Sequence, residues 1–166
     1  MATRSAGLLP FRITSDGTFE LFLVHPGGPY WARKDERSWS IAKGEYGDGE
    51  AALAAAEREF TEEIGRPPPS GRRIDLGQVR QTGGKVVRAW AIEAAQFTVG
   101  EVASNEFELE WPPHSGRYQL FPEVDRAEWM PTAVARWRLV PAQLAFVDRL
   151  EESVQIHLET PPAEGP

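Results

Sequence analysis

Apolar residues occur first in short, dense runs. Residues 6–14 carry Leu8, Leu9, Phe11 and Ile13, with Arg12 between the last two. That density predicts a strand, and Pro10, which has no N–H for a ladder, places it at a sheet edge or a bulge. Ser15-Asp16-Gly17-Thr18 is a turn signal. Phe19 to Val24 then returns as a strand apolar enough for the middle of a sheet. His25-Pro26-Gly27-Gly28-Pro29 cannot continue it. A basic and aromatic loop follows from Tyr30 to Ser38, and Trp39-Ser40-Ile41 is the next short strand. The period then changes from two to 3.6. Leu53, Ala56, Phe60 and Ile64 form one stripe and predict a helix starting near Asp48 or Gly49, with Asp48 as its N-cap. Gly65 is the C-cap, and Pro67-Pro68-Pro69 forbids continuation.

Two strands come next, Ile74 to Gln81 and Lys85 to Glu93, joined at Thr82-Gly83-Gly84. Phe107 to Trp111 is a further short strand or extended segment, Pro112 to Gly116 is a loop, and Glu128 to Met130 is a short strand. Thr132 to Trp137 reads as helical. Pro141 to Val154 is a second amphipathic helix, with Leu144, Val147, Leu150 and Val154 on one stripe. Strands, helix, strands, helix predict an α+β fold with a mixed sheet and helices on both faces. The chain is expected to form one domain over residues 1–158, with a disordered tail over 159–166.

Composition narrows the classes. A net charge of −7 argues against a broad basic surface for duplex nucleic acid. It leaves room for a small polyanionic ligand, because a metal ion can invert the local field. The absence of cysteine excludes disulfides and thiolate chemistry. No apolar run approaches the length of a membrane helix, and the N-terminus lacks a signal-peptide core. A cytoplasmic protein without a membrane partner is expected; composition says nothing of its oligomeric state.

The candidate chemistry lies in the first helix. Glu59, Glu62 and Glu63 stand at i, i+3 and i+4, so they crowd one helical face. Each like-charged pair at that spacing costs about 0.2–0.5 kcal/mol. Such a triplet either sits in water or uses a cation. On a rigid helix it makes a hard-oxygen site suited to Mg²⁺ or Mn²⁺. Arg58 can pair with the surrounding carboxylates and fix their rotamers. Ala52 and Ala55 on the same side are too small to block a substrate.

The spacing extends further. Gly44 is followed by five residues and then Glu50; after seven more comes Arg58-Glu59-Phe60-Thr61-Glu62-Glu63-Ile64-Gly65. This resembles the Nudix box, the signature of the Nudix hydrolases. The one departure is Arg66, where the pattern has an apolar residue, and it falls past the helix. The resemblance covers roughly residues 4 to 155 and implies a Nudix-like α/β/α sandwich with a mixed central β-sheet. It implies that Glu59, Glu62 and Glu63 ligate the metal with the Gly44 carbonyl, that Glu59 or Glu62 reaches the attacking water, and that Glu50 supports the loop. Glu123, six residues before Trp129, resembles the additional glutamate of subgroups acting on dinucleoside polyphosphates and RNA 5′ ends, where it is a further ligand or the base. Lys43, Lys34, Arg37 and Lys85 are the candidate phosphate-binding residues, with Arg33 beside them. Tyr30, Trp31 and Trp111 are candidates for base stacking. His25 and His114 are expected at the surface, with a general-acid role as the alternative for either. The implied function is metal-dependent pyrophosphohydrolysis of a nucleoside di-, tri- or polyphosphate derivative, such as an NTP or a dinucleoside polyphosphate. The alternative is a catalytically inactive nucleotide-binding or regulatory module of the same fold.

Overall fold

The computed structural model describes residues 2–159. Beyond residue 159, the tail expected over 159–166 lies outside the described residues. The strands in chain order are β1 (Arg4–Ile13), β2 (Phe19–Pro26), β3 (Ala42–Glu45), β4 (Ile74–Arg80), β5 (Val86–Glu93), β6 (Glu106–Glu110), β7 (Tyr118–Pro122) and β8 (Val124–Pro131). The helices are α1 (Ala52–Ile64), α2 (Thr132–Arg138) and α3 (Leu144–Glu159), the last entered through a 3-10 turn at Pro141–Gln143.

The main sheet runs β4-β5-β1-β2-β8, with β3 pairing β1 off that path. β1 and β5 are parallel and the other neighbours antiparallel, so the sheet is mixed. Successive side chains of β1 and β2 go to opposite faces, which is why both read as continuous apolar runs. Ala6, Leu8, Phe22 and Val24 pack with Ala56, Phe60 and Ile64 of α1. Leu9, Phe11, Leu21 and Leu23 pack with Ala135, Phe146, Val147 and Leu150 of α2 and α3. Each fully buried large side chain contributes on the order of 1.5–3 kcal/mol.

β1 is a central strand and not an edge, despite Pro10. The Thr3 carbonyl just before it accepts from Val86 and its Phe11 carbonyl from Ala94, at the two ends of β5, so odd residues serve that ladder and even residues the opposite side. On that opposite side β3 pairs residues 5–8 and β2 pairs residues 11–13. Pro10 falls in the gap between the two partners, where no N–H is needed. β2 and β3 both line one cleft, through Val24 and Pro26 and through Lys43.

Three further expectations change. The strand expected at Trp39-Ser40-Ile41 begins instead at Ala42; Trp39 and Ser40 make only isolated bridges, to Leu139 and Val24. Asp48 does not cap α1. The helix begins after Ala51 without a side-chain cap, and Asp48 pairs with Arg4 across the β1–β3 end. Residues 106–122 form a two-stranded ribbon, β6–β7, whose second strand the Pro112–Gly116 loop had hidden.

Candidate functional site

α1 carries the site because it is held at both ends. Gly65 adopts the left-handed conformation (φ 81°), and its N–H closes the helix on the Thr61 carbonyl at 2.8 Å. Arg66, out of place in the motif, donates to the Thr98 carbonyl at 3.1 Å, so the exit is anchored by a hydrogen bond rather than by an apolar contact.

Glu59 lies under the loop. It is 9% exposed, and its carboxylate packs so closely on Gly44 that a Cβ there would overlap it. Arg58 grips Glu50 with a two-pronged fork, Nε to Oε2 and Nη2 to Oε1, both 2.8 Å. Its Nη1 reaches Glu59 at 2.6 Å and Glu62 at 3.3 Å. These bonds, Glu50 first, hold the guanidinium charged and depress the Glu50 carboxyl below its usual range. Arg58 therefore neutralises the like charges and orients two of the three crowded glutamates.

Glu63 turns to β3, where its Oε2 accepts the Lys43 backbone N–H at 3.2 Å. Burial pushes its carboxyl up to about 8, with Glu59 and Glu123 adding to the shift and Lys43 opposing it. Glu123 is also raised, by burial first and then by Glu59 and Glu62. The four carboxylates thus sense one another across the site. Lys43 is lowered by burial and by nearby Lys85, against the pull of Glu63, Glu45 and Glu59.

Glu123 reaches this cluster through a backbone relay. The Asn105 N–H donates to the Glu62 carbonyl at 3.1 Å, and the Asn105 carbonyl accepts the Glu123 N–H at 2.8 Å. The Ser104 hydroxyl bonds the backbone N–H and carbonyl of Val124. Segment 104–105 has no motif to reveal it, and its role exists only once the ribbon has folded back.

A cleft of about 370 Å³ opens beside the cluster, lined by Trp31, Ser40, Lys43, Glu63, Gln81 and Glu123 among others. Its size suits a nucleotide-sized ligand. Among the candidate basic residues only Lys43 lines it. Lys34 lies over the Trp31 ring at 5.1 Å. Lys85 pairs with Glu45 at 3.3 Å. Arg37 has left-handed backbone (φ 55°) and turns away, beside Glu36 and Trp137. Tyr30 and Trp111 stack edge-on with each other. Ala55 is fully buried in the core.

His25 is not at the surface. It is fully buried, with Nε2 2.6 Å from the Lys34 carbonyl and Nδ1 2.7 Å from Asp125. It ties the basic loop to β8, where Asp35 is also held by Trp39 and Arg126. Its Asp125 partner lies far along the chain, so proximity to a Pro-Gly turn misdirects the sequence expectation. His114 is exposed at the ribbon tip, as expected.

Among the described residues no three carboxylates or histidines converge closely enough to cage an ion as the side chains stand. The donor set nevertheless fits a hard divalent cation: Glu62, Glu63 and Glu123 offer oxygens around Glu59 and the Gly44 backbone, and the raised carboxyls of Glu63 and Glu123 are those a cation would favour as anions.

The comparisons with known proteins bear on the family and the fold. A family model described as the NUDIX domain matches residues 3–150. No curated protein matches the sequence. Among solved structures, the chain resembles a C. elegans Ap4A hydrolase in a binary complex, at 17% identity over 93% of this chain and 98% of that one, with a TM-score of 0.66. It also resembles the NUDIX domain of Shewanella oneidensis NrtR complexed with ADP ribose, at 15% identity over 93% and 89%, TM-score 0.64. A third is the Nudix hydrolase RenU from M. smegmatis, at 20% identity over 92% and 85%, TM-score 0.58. At these identities the likeness is one of fold.

Proposed function

The chain belongs to the Nudix hydrolases, which act on phosphoric anhydride bonds, and we propose that it is a metal-dependent pyrophosphohydrolase of nucleoside polyphosphates, an NTP or a dinucleoside polyphosphate among them. The observation that carries this reading is the meeting of Glu63, Glu123 and Lys43 at one cleft beside Glu59 and Gly44. The catalytic unit proposed spans residues 1–158.

Glu59, Glu62, Glu63 and the Gly44 carbonyl would hold Mg²⁺ or Mn²⁺, with Glu123 as the further oxygen donor or the base. When bound, the ion neutralises phosphate charge and acidifies a water. Lys43 presents its ammonium to the phosphates from the cleft wall. Arg58 keeps Glu59 and Glu62 in their rotamers through its hold on Glu50. Arg58→Lys removes the fork, and Mn²⁺ affinity is expected to fall about 10–100-fold in a calorimetric titration. Unchanged affinity would show that Arg58 does not position the ligands.

We assign Glu123 the role of taking the proton of the attacking water; burial raises its carboxyl, the direction a general base needs. Glu123→Gln is expected to lower kcat about 10²-fold with KM little changed. An equal loss in KM would instead make it a ligand-binding group.

The function is tested by a panel of ATP, GTP, a dinucleoside tetraphosphate and ADP-ribose with Mg²⁺, with products identified. Turnover of none would sink the reading. A second reading, a binding module of the same fold, draws on the ion pairs that keep Glu59 and Glu62 on Arg58. Nucleotide binding without turnover would favour it.

A further inference from the structure

The strand that carries Lys43 and Gly44 is entered through one residue that no strand supports. Ser40 is bridged to Val24 of β2, its N–H donating at 3.0 Å and its carbonyl accepting at 2.9 Å. Ala42 begins the ladder with β1, opposite Leu8. Ile41 lies between the two ladders and is buried, and among the described residues no backbone group meets its N–H or its carbonyl. Buried peptide groups need partners, and here a side chain has to provide them.

Gln143 serves both groups. It ends the 3-10 turn and is fully buried. Its Oε1 accepts the Ile41 N–H at 2.9 Å. A backbone N–H can only donate, so this bond fixes which end of the amide is oxygen. The Gln143 NH₂ donates to the Ser40 hydroxyl at 3.0 Å, and that hydroxyl donates in turn to the Ile41 carbonyl at 2.7 Å. The NH₂ also reaches Gln81 Oε1 at 2.9 Å. One side chain from the entry to α3 thus holds both peptide groups flanking Ile41, one directly and one through Ser40.

The candidate site begins two residues further on. The Lys43 N–H donates to Glu63 Oε2 at 3.2 Å, and Gly44 lies against the Glu59 carboxylate. Toward β1 there is no slack: a Cβ on Gly7, the partner of Lys43, would overlap the Ala42 carbonyl and the Lys43 Cβ. A displacement at Ile41 therefore runs along the strand into the site. We propose that Gln143 is a positioning residue for the hydrolysis, setting where Lys43 and Gly44 meet Glu63 and Glu59. This rests on the metal-dependent hydrolase reading above.

Gln143→Met keeps most of the side-chain length and removes all three hydrogen bonds. Ser40→Ala keeps the direct bond to Ile41 and removes the relay. Well below the melting temperature, Gln143→Met is expected to bind Mn²⁺ about tenfold more weakly than wild type in a calorimetric titration. Its kcat with saturating Mg²⁺ should fall about tenfold as well. Ser40→Ala should lie between wild type and Gln143→Met. In EDTA, hydrogen exchange at the Lys43 amide should accelerate about tenfold more in Gln143→Met than at the slowest amides of β1 and β5. A residue that only stabilises the fold would lower Tm and leave the Mn²⁺ affinity and kcat of the folded protein at wild-type values. That result, or an acceleration at Lys43 no greater than at the slowest amides, would overturn the proposal. If Gln143→Met does not fold, Ser40→Ala decides on the same readouts, and wild-type values there overturn it. If wild type neither binds Mn²⁺ nor hydrolyses any nucleotide, the hydrolase reading fails separately, and exchange at Lys43 still decides whether Gln143 places the strand.

Discussion

Glu63→Gln is expected to reduce turnover by about 10³-fold and, in EDTA at alkaline pH, to raise Tm by several degrees. The two effects have one cause. Glu63 is enclosed beside Glu59 and Glu123, with one backbone N–H as its hydrogen-bond partner, and its carboxyl is pushed from 4.5 up to about 8. Between those values the native protein holds a proton that the unfolded chain has released. The contribution of Glu63 to stability is therefore full below about pH 4.5 and is lost as pH rises through 8. A glutamine keeps the shape and the hydrogen bond without the buried charge. It also removes an anionic oxygen from the group that would hold the cation and stabilise charge on the phosphates. Thermal melts from pH 5 to 9 in EDTA, alongside steady-state kinetics with Mg²⁺, measure both. A variant that loses activity and also melts earlier at every pH would show Glu63 to be structural.

Gly44→Ala is expected to cost about 10²–10³-fold in kcat/KM with a small change in Tm. The added methyl would occupy the place of the Glu59 carboxylate. Glu59 can swing its carboxylate aside, so the fold survives, but its bond to Arg58 and its position under the loop do not. The β1–β3 ladder through Ala6 and Gly44 needs no glycine conformation, because Gly44 is not among the positive-φ residues. Gly47→Ala is the control from the same loop: nothing lies within 4 Å of its added Cβ, and activity should be nearly unchanged. Equal behaviour of the two variants in kinetics would remove Gly44 from the site.

Much of this chain is legible locally. The box spacing, the i, i+3, i+4 glutamates and the Gly65 stop all lie within one helix and its flanks, where contacts repeat with the chain's own period. The alternation of Leu8 and Leu9 between two cores, and the apolar stripe of α1, follow from the same periodicity. So do the mixed α+β class and the membership of Glu59, Glu62 and Glu63 in one face. Arg58 is equally legible, although its grip on Glu50 depends on how the loop closes over the helix.

The rest depends on which segments meet. Pro10 looks like an edge residue until two different strands share one side of β1 and leave a gap for it. Asp48 looks like a cap until Arg4, distant in sequence, takes it. His25 looks exposed until Asp125 and Lys34 enclose it. Glu123 is tied to α1 through Asn105, and the Gln81 side chain meets Gln143, itself held by Ile41. The sequence by itself determined the chemical character of α1, because helix periodicity is a property of neighbouring residues. The tertiary structure decided how the cleft is walled and which way its amides and carboxylates face, because buried hydrogen-bonding groups must find partners and those partners lie far along the chain.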